Sequence, residues 1–192
     1  GTVKLAEEGI EEFSLDAWYL LEYVTGVSKA MYFAEPERAV SEENADRYID
    51  CIRRRAARIP LQHITGEQEF MGYPFCVNEH VLIPRQDTEI LVEEAIQVMR
   101  PKMKVLDMCT GSGCIVLSIL KMCREKYYMT DLQGIGADVS EEALKVAREN
   151  GRRLGVQVTW IQSDLFAKIP EEEKYDVIVS NPPYIETAVI DT

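Results

Sequence analysis

With 192 residues, 46% of them apolar and 28% charged, the chain has room for one full domain, or for a small domain and part of another, and its composition excludes disorder and fibre. No apolar run reaches the roughly 18 residues of a membrane span, and the acidic start Gly1-Thr2-Val3-Lys4-Leu5-Ala6-Glu7-Glu8 lacks the features of a secretory signal; a soluble, cytoplasmic protein is expected. The net charge of −12 argues against a nucleic-acid partner, because phosphate backbones call for a basic face, and five cysteines without CxxC spacing read as free thiols, with neither a disulfide framework nor a metal site.

The first 60 residues predict short helices, each with its own stop signal. Ser14 caps the first, whose apolar residues Leu15, Trp18 and Tyr19 and the run 21–24 lead to Gly26 as its end. Ser28 opens a shorter helix that ends before Pro36. Ser41 caps a third, in which Ala45, Tyr48, Ile49, Ile52 and Ala56 follow the spacing of one buried stripe up to the break at Pro60. The basic cluster Arg53-Arg54-Arg55 with Arg58 closes that helix, where cations suit the helix dipole.

Beyond the helices, residues 68–77 and 81–84 predict the two strands of a hairpin, with turn residues between them. A helix follows from Asp87-Thr88, directs Ile90, Leu91, Ala95, Val98 and Met99 inward, and stops before Pro101. Strands at 105–108, 134–138, 156–161 and 175–180 then enclose helices at 115–123 and 141–153. Alternation of this kind predicts a parallel α/β sheet, and the mostly continuous apolar strands predict cover on both faces. Glu171-Glu172-Glu173 reads as a solvated loop.

Two constellations carry chemistry. In Asp107-Met108-Cys109-Thr110-Gly111-Ser112-Gly113, small residues between a strand and a helix either make a plain tight turn or let a ligand approach the backbone. At the end of the next strand stands Asp138, able to accept both hydroxyl hydrogens of a ribose or to cap the helix from Glu141 in competition with Ser140. A dinucleotide fingerprint would need a third small residue where Val116 stands, and a branched valine there should obstruct helix-to-strand packing. Asp107, near the methionine end, and Ser163-Asp164-Leu165, near the adenine, fit S-adenosylmethionine instead. The second constellation is Asn181-Pro182-Pro183-Tyr184, at the same carboxyl edge of the sheet. It is good turn chemistry, and it also offers carbonyl acceptors to a planar NH₂ group and an aromatic face to growing positive charge. His63 and His80 lie far from it in sequence and read as surface or packing residues.

Together, Pro60-Leu61-Gln62-His63-Ile64-Thr65-Gly66-Glu67, Glu69-Phe70-Met71-Gly72, Leu82-Ile83-Pro84-Arg85-Gln86-Asp87-Thr88-Glu89, Leu106 to Gly113 and Ser180 to Ile185 resemble the HemK/PrmC family, methyltransferases of the glutamine side-chain amide in peptide chain release factors. The resemblance implies a helical domain at residues 1–67 that engages the release factor, a hairpin linker at 68–86, and a Rossmann-like methyltransferase domain at 87–192 using S-adenosylmethionine. It implies that Cys109, Thr110, Gly111, Ser112, Gly113, Asp138, Asp164, Leu165 and Asn181 contact the cofactor. Asn181, Pro182, Pro183 and Tyr184 would hold the glutamine of a Gly-Gly-Gln motif, with Arg85, Thr88 and Glu89 as pocket wall. Cys109 stands where many relatives have glycine, which argues against a need for positive φ there. The family pattern continues past Asp191-Thr192, so a truncated chain is expected, with one flank of the fourth strand unpaired, much of the cofactor pocket retained and little or no turnover. Two other readings are carried: a DNA methyltransferase acting on the adenine exocyclic amine, disfavoured by charge, and a binding module without catalysis.

Overall fold

In a computed structural model that describes residues 1–35 and 37–182, the chain divides into two units, Gly1–Gly66 and Glu67–Thr192. None of the described helices is long and apolar enough to cross a membrane.

The first unit contains helices α1 (Thr2–Glu7), α2 (Phe13–Thr25), α3 (Lys29–Ala34), α4 (Glu42–Ala56) and α5 (Leu61–Thr65). Its core gathers Leu5, Ile10, Leu20, Val24, Cys51, Ile52 and Ile64. Gly26 ends α2 in the left-handed conformation, while Ser28 and Ser41 cap α3 and α4 by accepting the N–H of Met31 and Asn44. Ser14 is not a cap: α2 starts two residues earlier than a Ser14 cap would have it, with Glu12 in the cap position and its carbonyl accepting from Asp16 N–H. Ile49 is exposed and Cys51 is buried beside Ile52, so the stripe of α4 is turned from the expected one. The basic cluster does more than answer a dipole. Arg55 pairs with buried Asp16 at 2.6 Å, Arg54 donates to the carbonyl of His63, and Arg58 donates to that of Glu8.

The second unit opens with an antiparallel hairpin, β1 (Glu67–Phe70) and β2 (Tyr73–Cys76). The chain reverses at Met71-Gly72, both with positive φ, in a two-residue turn suited to strand twist. The hairpin therefore lies wholly within residues 67–76, and residues 81–84 form no strand. Phe70 and Phe75 sit in the main core of this unit, so the hairpin is part of its packing rather than a bare connection. A 3₁₀ turn (Gln86–Thr88) leads into α6 (Glu89–Val98). Val92, Ala95, Ile96 and Met99 form its buried face at helical spacing, whereas Ile90 and Val98 face out.

Strands β3 (Lys104–Met108), β4 (Gln133–Asp138), β5 (Thr159–Gln162) and β6 (Val177–Ser180), with helices α7 (Cys114–Tyr127) and α8 (Glu141–Leu154), complete the described elements. All the pairings are parallel, in the order β5-β4-β3-β6. β5 begins later than expected because Val156 N–H closes the end of α8 on the Gly151 carbonyl. The sheet is also not covered evenly. Helices α6, α7 and α8 pack side by side over Val105, Val177 and Val179, while Leu106, Met108, Ile135 and Ala137 on the opposite side meet Ile169 and Tyr175 from the loop before β6, and Ile178 remains 53% exposed.

Gly134 explains how α7 comes so close to β4, and Gly136 makes room for the Trp160 ring of β5. A Cβ on Gly134 would lie 2.5 Å from Leu120 and 3.0 Å from Val116, and one on Gly136 would lie 2.4 Å from the Trp160 ring. The small residues that this contact requires are thus on the strand, and Val116 is fully buried rather than obstructive.

Candidate active site

Parallel strands in register bring their carboxyl ends to one edge. Met108 stands opposite Ala137 on one side and Ser180 on the other, so the segments after β3, β4 and β6 leave the sheet side by side. Ser180 Oγ–H donates to the Met108 carbonyl at 2.8 Å and ties two of these exits together.

After β3 the backbone turns sharply. Cys109, Gly111 and Gly113 have φ of 61°, 54° and 77°. Positive φ at Cys109 overturns the expectation from its side chain: leaving β3, Thr110 N–H donates to the Ala137 carbonyl at 2.9 Å and Gly113 N–H to the Thr110 carbonyl at 2.8 Å, and that turn requires the left-handed region. Gly113 is needed for closeness as well, since a Cβ there would lie 2.9 Å from Trp160.

Asp107 lies beneath this loop and is not among the described residues that line the cavity at this edge. It faces the helices, is fully buried, and its Oδ2 accepts from Thr110 Oγ–H at 2.7 Å and Val116 N–H at 3.3 Å. Among the described residues its Oδ1 has no hydrogen-bond partner. Burial pushes its carboxyl up to about 7, with the Asp138 charge adding to the rise and the bonds from Thr110 and Val116 opposing it. Burial likewise raises the Cys109 thiol, which favours the neutral form.

Asp138 ends β4. Its Oδ2 accepts from Gly111 N–H at 2.9 Å and its Oδ1 from Ser140 N–H at 3.0 Å. The cap of α8 is Ser140, whose Oγ accepts from Ala143 N–H, so the capping role weighed for Asp138 is filled by its neighbour. Each Asp138 oxygen keeps a second lone pair for another donor.

A cavity of about 440 Å³ opens at this edge, and Cys109, Gly111, Asp138, Asp164, Leu165 and Asn181 line it. Thr110, Ser112 and Gly113 are buried behind the wall and shape it from within. Pro182 is exposed and outside the lining; Pro183 and Tyr184 lie outside the described residues. The segment after the hairpin supplies wall that the motifs did not reveal, including His80 and Leu82, and of the three further candidates only Arg85 lines the cavity. Glu89 instead accepts Met71 N–H at 2.7 Å and holds the hairpin turn, while Thr88 Oγ accepts from Asn181 Nδ2–H at 3.1 Å. Leu82, Val139 and Leu165, all exposed, surround the cavity with apolar surface next to the Asp138 carboxylate. An apolar residue directly after the strand-end acid was the available signal for Val139.

Asn150 also escaped the sequence reading. Buried on α8, it accepts Cys76 N–H at 2.7 Å and donates to the carbonyls of Cys76 and Ser112 at 3.1 and 2.9 Å, which joins the hairpin to the glycine loop.

A parallel sheet with a glycine loop after a central strand, an acid at the end of the next and an asparagine after its neighbour defines an α/β methyltransferase fold of the Rossmann-like class. Residues 86–192 match the methyltransferase small domain and residues 1–66 the PrmC N-terminal domain. The chain belongs to the methyltransferase small domain family, with a PrmC N-terminal domain ahead of it, in keeping with the HemK/PrmC resemblance. It is 38% identical over 184 residues to the release factor glutamine methyltransferase of Geobacter sulfurreducens, covering 96% of this chain and 62% of that protein. It is 39% identical over 191 residues to the protein of the same name from Moorella thermoacetica, covering 97% and 65%. The chain thus spans less than two thirds of the length of these relatives. Among solved structures it is similar to the 16S rRNA N2 G1207 methyltransferase of T. thermophilus, at 18% identity and a TM-score of 0.49, over 62% of this chain and 32% of that one.

Proposed function

We propose that the chain carries the cofactor pocket and part of the acceptor site of a protein-glutamine N-methyltransferase, which transfers a methyl group from S-adenosylmethionine to the side-chain amide nitrogen of the glutamine in the Gly-Gly-Gln motif of peptide chain release factors. The observation that carries this reading is the meeting of Asp138 and Asn181 in one cavity at the ends of parallel strands. The PrmC N-terminal match and the names of the relatives supply the substrate class.

The residues fit the cofactor. Asp138 has acceptor capacity for two ribose hydroxyls, Leu82, Val139 and Leu165 offer apolar surface to a flat base, and Gly111 leaves open space where a Cβ would stand. Asp164, exposed in the cavity lining, would accept from an adenine amine. When bound, the cofactor supplies a methyl made electrophilic by its sulfonium. The protein's part is placement. With its NH₂ engaged by Thr88, Asn181 has its carbonyl to offer to the glutamine amide, and the Pro182 carbonyl adds a second acceptor. Two acceptors turn the NH₂ plane so that the nitrogen lone pair points at the methyl. No strong base is required, because an alkylated amide nitrogen releases its proton readily to water.

Calorimetry with S-adenosylhomocysteine tests the pocket: binding to the chain is expected, with a loss of about 100-fold in Asp138→Ala. Transfer is tested with a protein extended to the length of the curated relatives, a release factor and intact-mass analysis. One added methyl on the Gly-Gly-Gln glutamine, abolished by Asn181→Ala, is the expected result. An unmodified factor alongside a binding-competent enzyme would overturn the substrate assignment, and no binding would overturn the reading as a whole.

A further inference from the structure

A primary amide presents a donor at one end and an acceptor at the other, and the two differ little in shape. An asparagine that must offer its carbonyl to an incoming NH₂ needs something to hold its amide plane, because a rotated amide would set donor against donor. In this chain Thr88 is in that position, with Oγ 3.1 Å from Asn181 Nδ2 and accepting its hydrogen.

Thr88 is itself fixed. It closes the 3₁₀ turn Gln86–Thr88, its own N–H donating to the Arg85 carbonyl at 3.0 Å. The next residue, Glu89, starts α6 and accepts Met71 N–H at 2.7 Å from the turn of the hairpin. The hairpin is anchored in turn by Phe70 and Phe75 in the core and by Asn150 on Cys76. The hydroxyl is therefore held by a rigid frame. Asn181 directly follows β6, whose Ser180 is bonded to the end of β3, so Asn181 leaves the parallel sheet from a strand end that is itself held.

We infer that Thr88 is a positioning residue of the acceptor site: its hydroxyl accepts from the NH₂ end of Asn181, and with that hydrogen bond in place the carbonyl end is the one left for the substrate amide. The inference rests on the proposed function above. It gives the segment around Thr88 a part in the chemistry that a pocket wall would not have, since Thr88 does not line the cavity.

The test compares Thr88→Val, of equal shape without a hydroxyl, with Thr88→Ser, which restores the hydroxyl. The first readout needs no turnover: the Asn181 side-chain NH₂ signal in the nitrogen–proton NMR spectrum should exchange faster with water in Thr88→Val and return to its original rate in Thr88→Ser. In the protein extended to the length of its relatives, kcat for glutamine methylation should fall about 10-fold in Thr88→Val, with KM for S-adenosylmethionine within about twofold, and recover in Thr88→Ser. If the valine variant does not fold, Thr88→Ala takes its place against the serine. An unchanged kcat and exchange rate, with Asn181→Ala still inactive, would overturn the inference and leave the proposed function standing. A rise in cofactor KM matching the loss of kcat, without rescue by serine, would make Thr88 merely structural and also overturn it. An active Asn181→Ala would remove the acceptor site itself, and the inference with it.

Discussion

At the scale of single residues, Asp107 is the carboxyl that titration should expose. Its strand alternates sides, Val105 and Asp107 toward the helices and Leu106 and Met108 away, so the acid lies under the glycine loop. A continuous apolar run does not tell which side of the strand Asp107 takes, nor the depth at which Thr110 and Val116 bond to it. An unfolded carboxyl titrates near its ordinary value of about 3.9, and in the folded protein Asp107 is pushed up to about 7. Between those values the native state keeps a proton that the unfolded chain has released, so this group's contribution to stability is full at low pH, is lost as pH rises through the window, and is constant above it. Asp107→Asn retains an acceptor for Thr110 and Val116 and cannot ionise. Urea unfolding at about pH 5 and about pH 8 should therefore show the variant gaining on the parent at the higher pH, and an unchanged gap would mean that the carboxyl is not perturbed. Cys109 shows the opposite failure of reading. Its residue type argues against the left-handed region, yet hydrogen bonds on either side of it impose that conformation.

At the scale of elements, the strand–helix alternation of the second unit was readable because buried strands and amphipathic helices differ in period. The hairpin was misread, since ten residues from 68 to 77 look like one strand unless Met71-Gly72 is recognised as a turn. Helix faces are less legible than helices: α4 starts at its expected cap Ser41, yet Ile49 on it is exposed and Cys51 buried. A long-range polar contact leaves no periodic mark at all, and Asn150 is the plainest case. It bonds to Cys76 of β2, 74 positions away, and to Ser112, 38 positions away. Asn150→Ala strands the buried N–H and carbonyl groups it serves, and a loss of about 3 kcal/mol in urea unfolding is expected. Because Ser112 belongs to the glycine loop, binding of S-adenosylhomocysteine should weaken as well. A loss below about 1 kcal/mol with unchanged affinity would show that the hairpin and loop hold their places without this bridge.

At the scale of the whole molecule, each unit has its own core, and among the described residues all those lining the cavity belong to the second. Composition bears on which planar amine the proposed acceptor site would take, because an Asn-Pro-Pro-Tyr segment would suit the exocyclic amine of adenine as well as a glutamine amide. Duplex DNA must first be attracted, which depends on cations that displace counterions from phosphate, before a base can be extruded from it. Here 21 basic side chains face 33 acidic ones. Many of the cations are already engaged: Lys104 with Glu173, Lys145 with Glu142, Arg148 with Glu141, Arg152 with Glu149 and Arg153 with Glu67. The cavity adds Asp138 and Asp164 to that field. Fluorescence anisotropy with a labelled duplex at about 0.15 M salt should accordingly show no association at micromolar protein, and lowering the salt should add little, since few phosphates would be neutralised. Association that weakens steeply with salt, together with methyl transfer to the duplex and none to a release factor, would move the acceptor from a protein amide to a nucleobase while leaving the cofactor pocket as described.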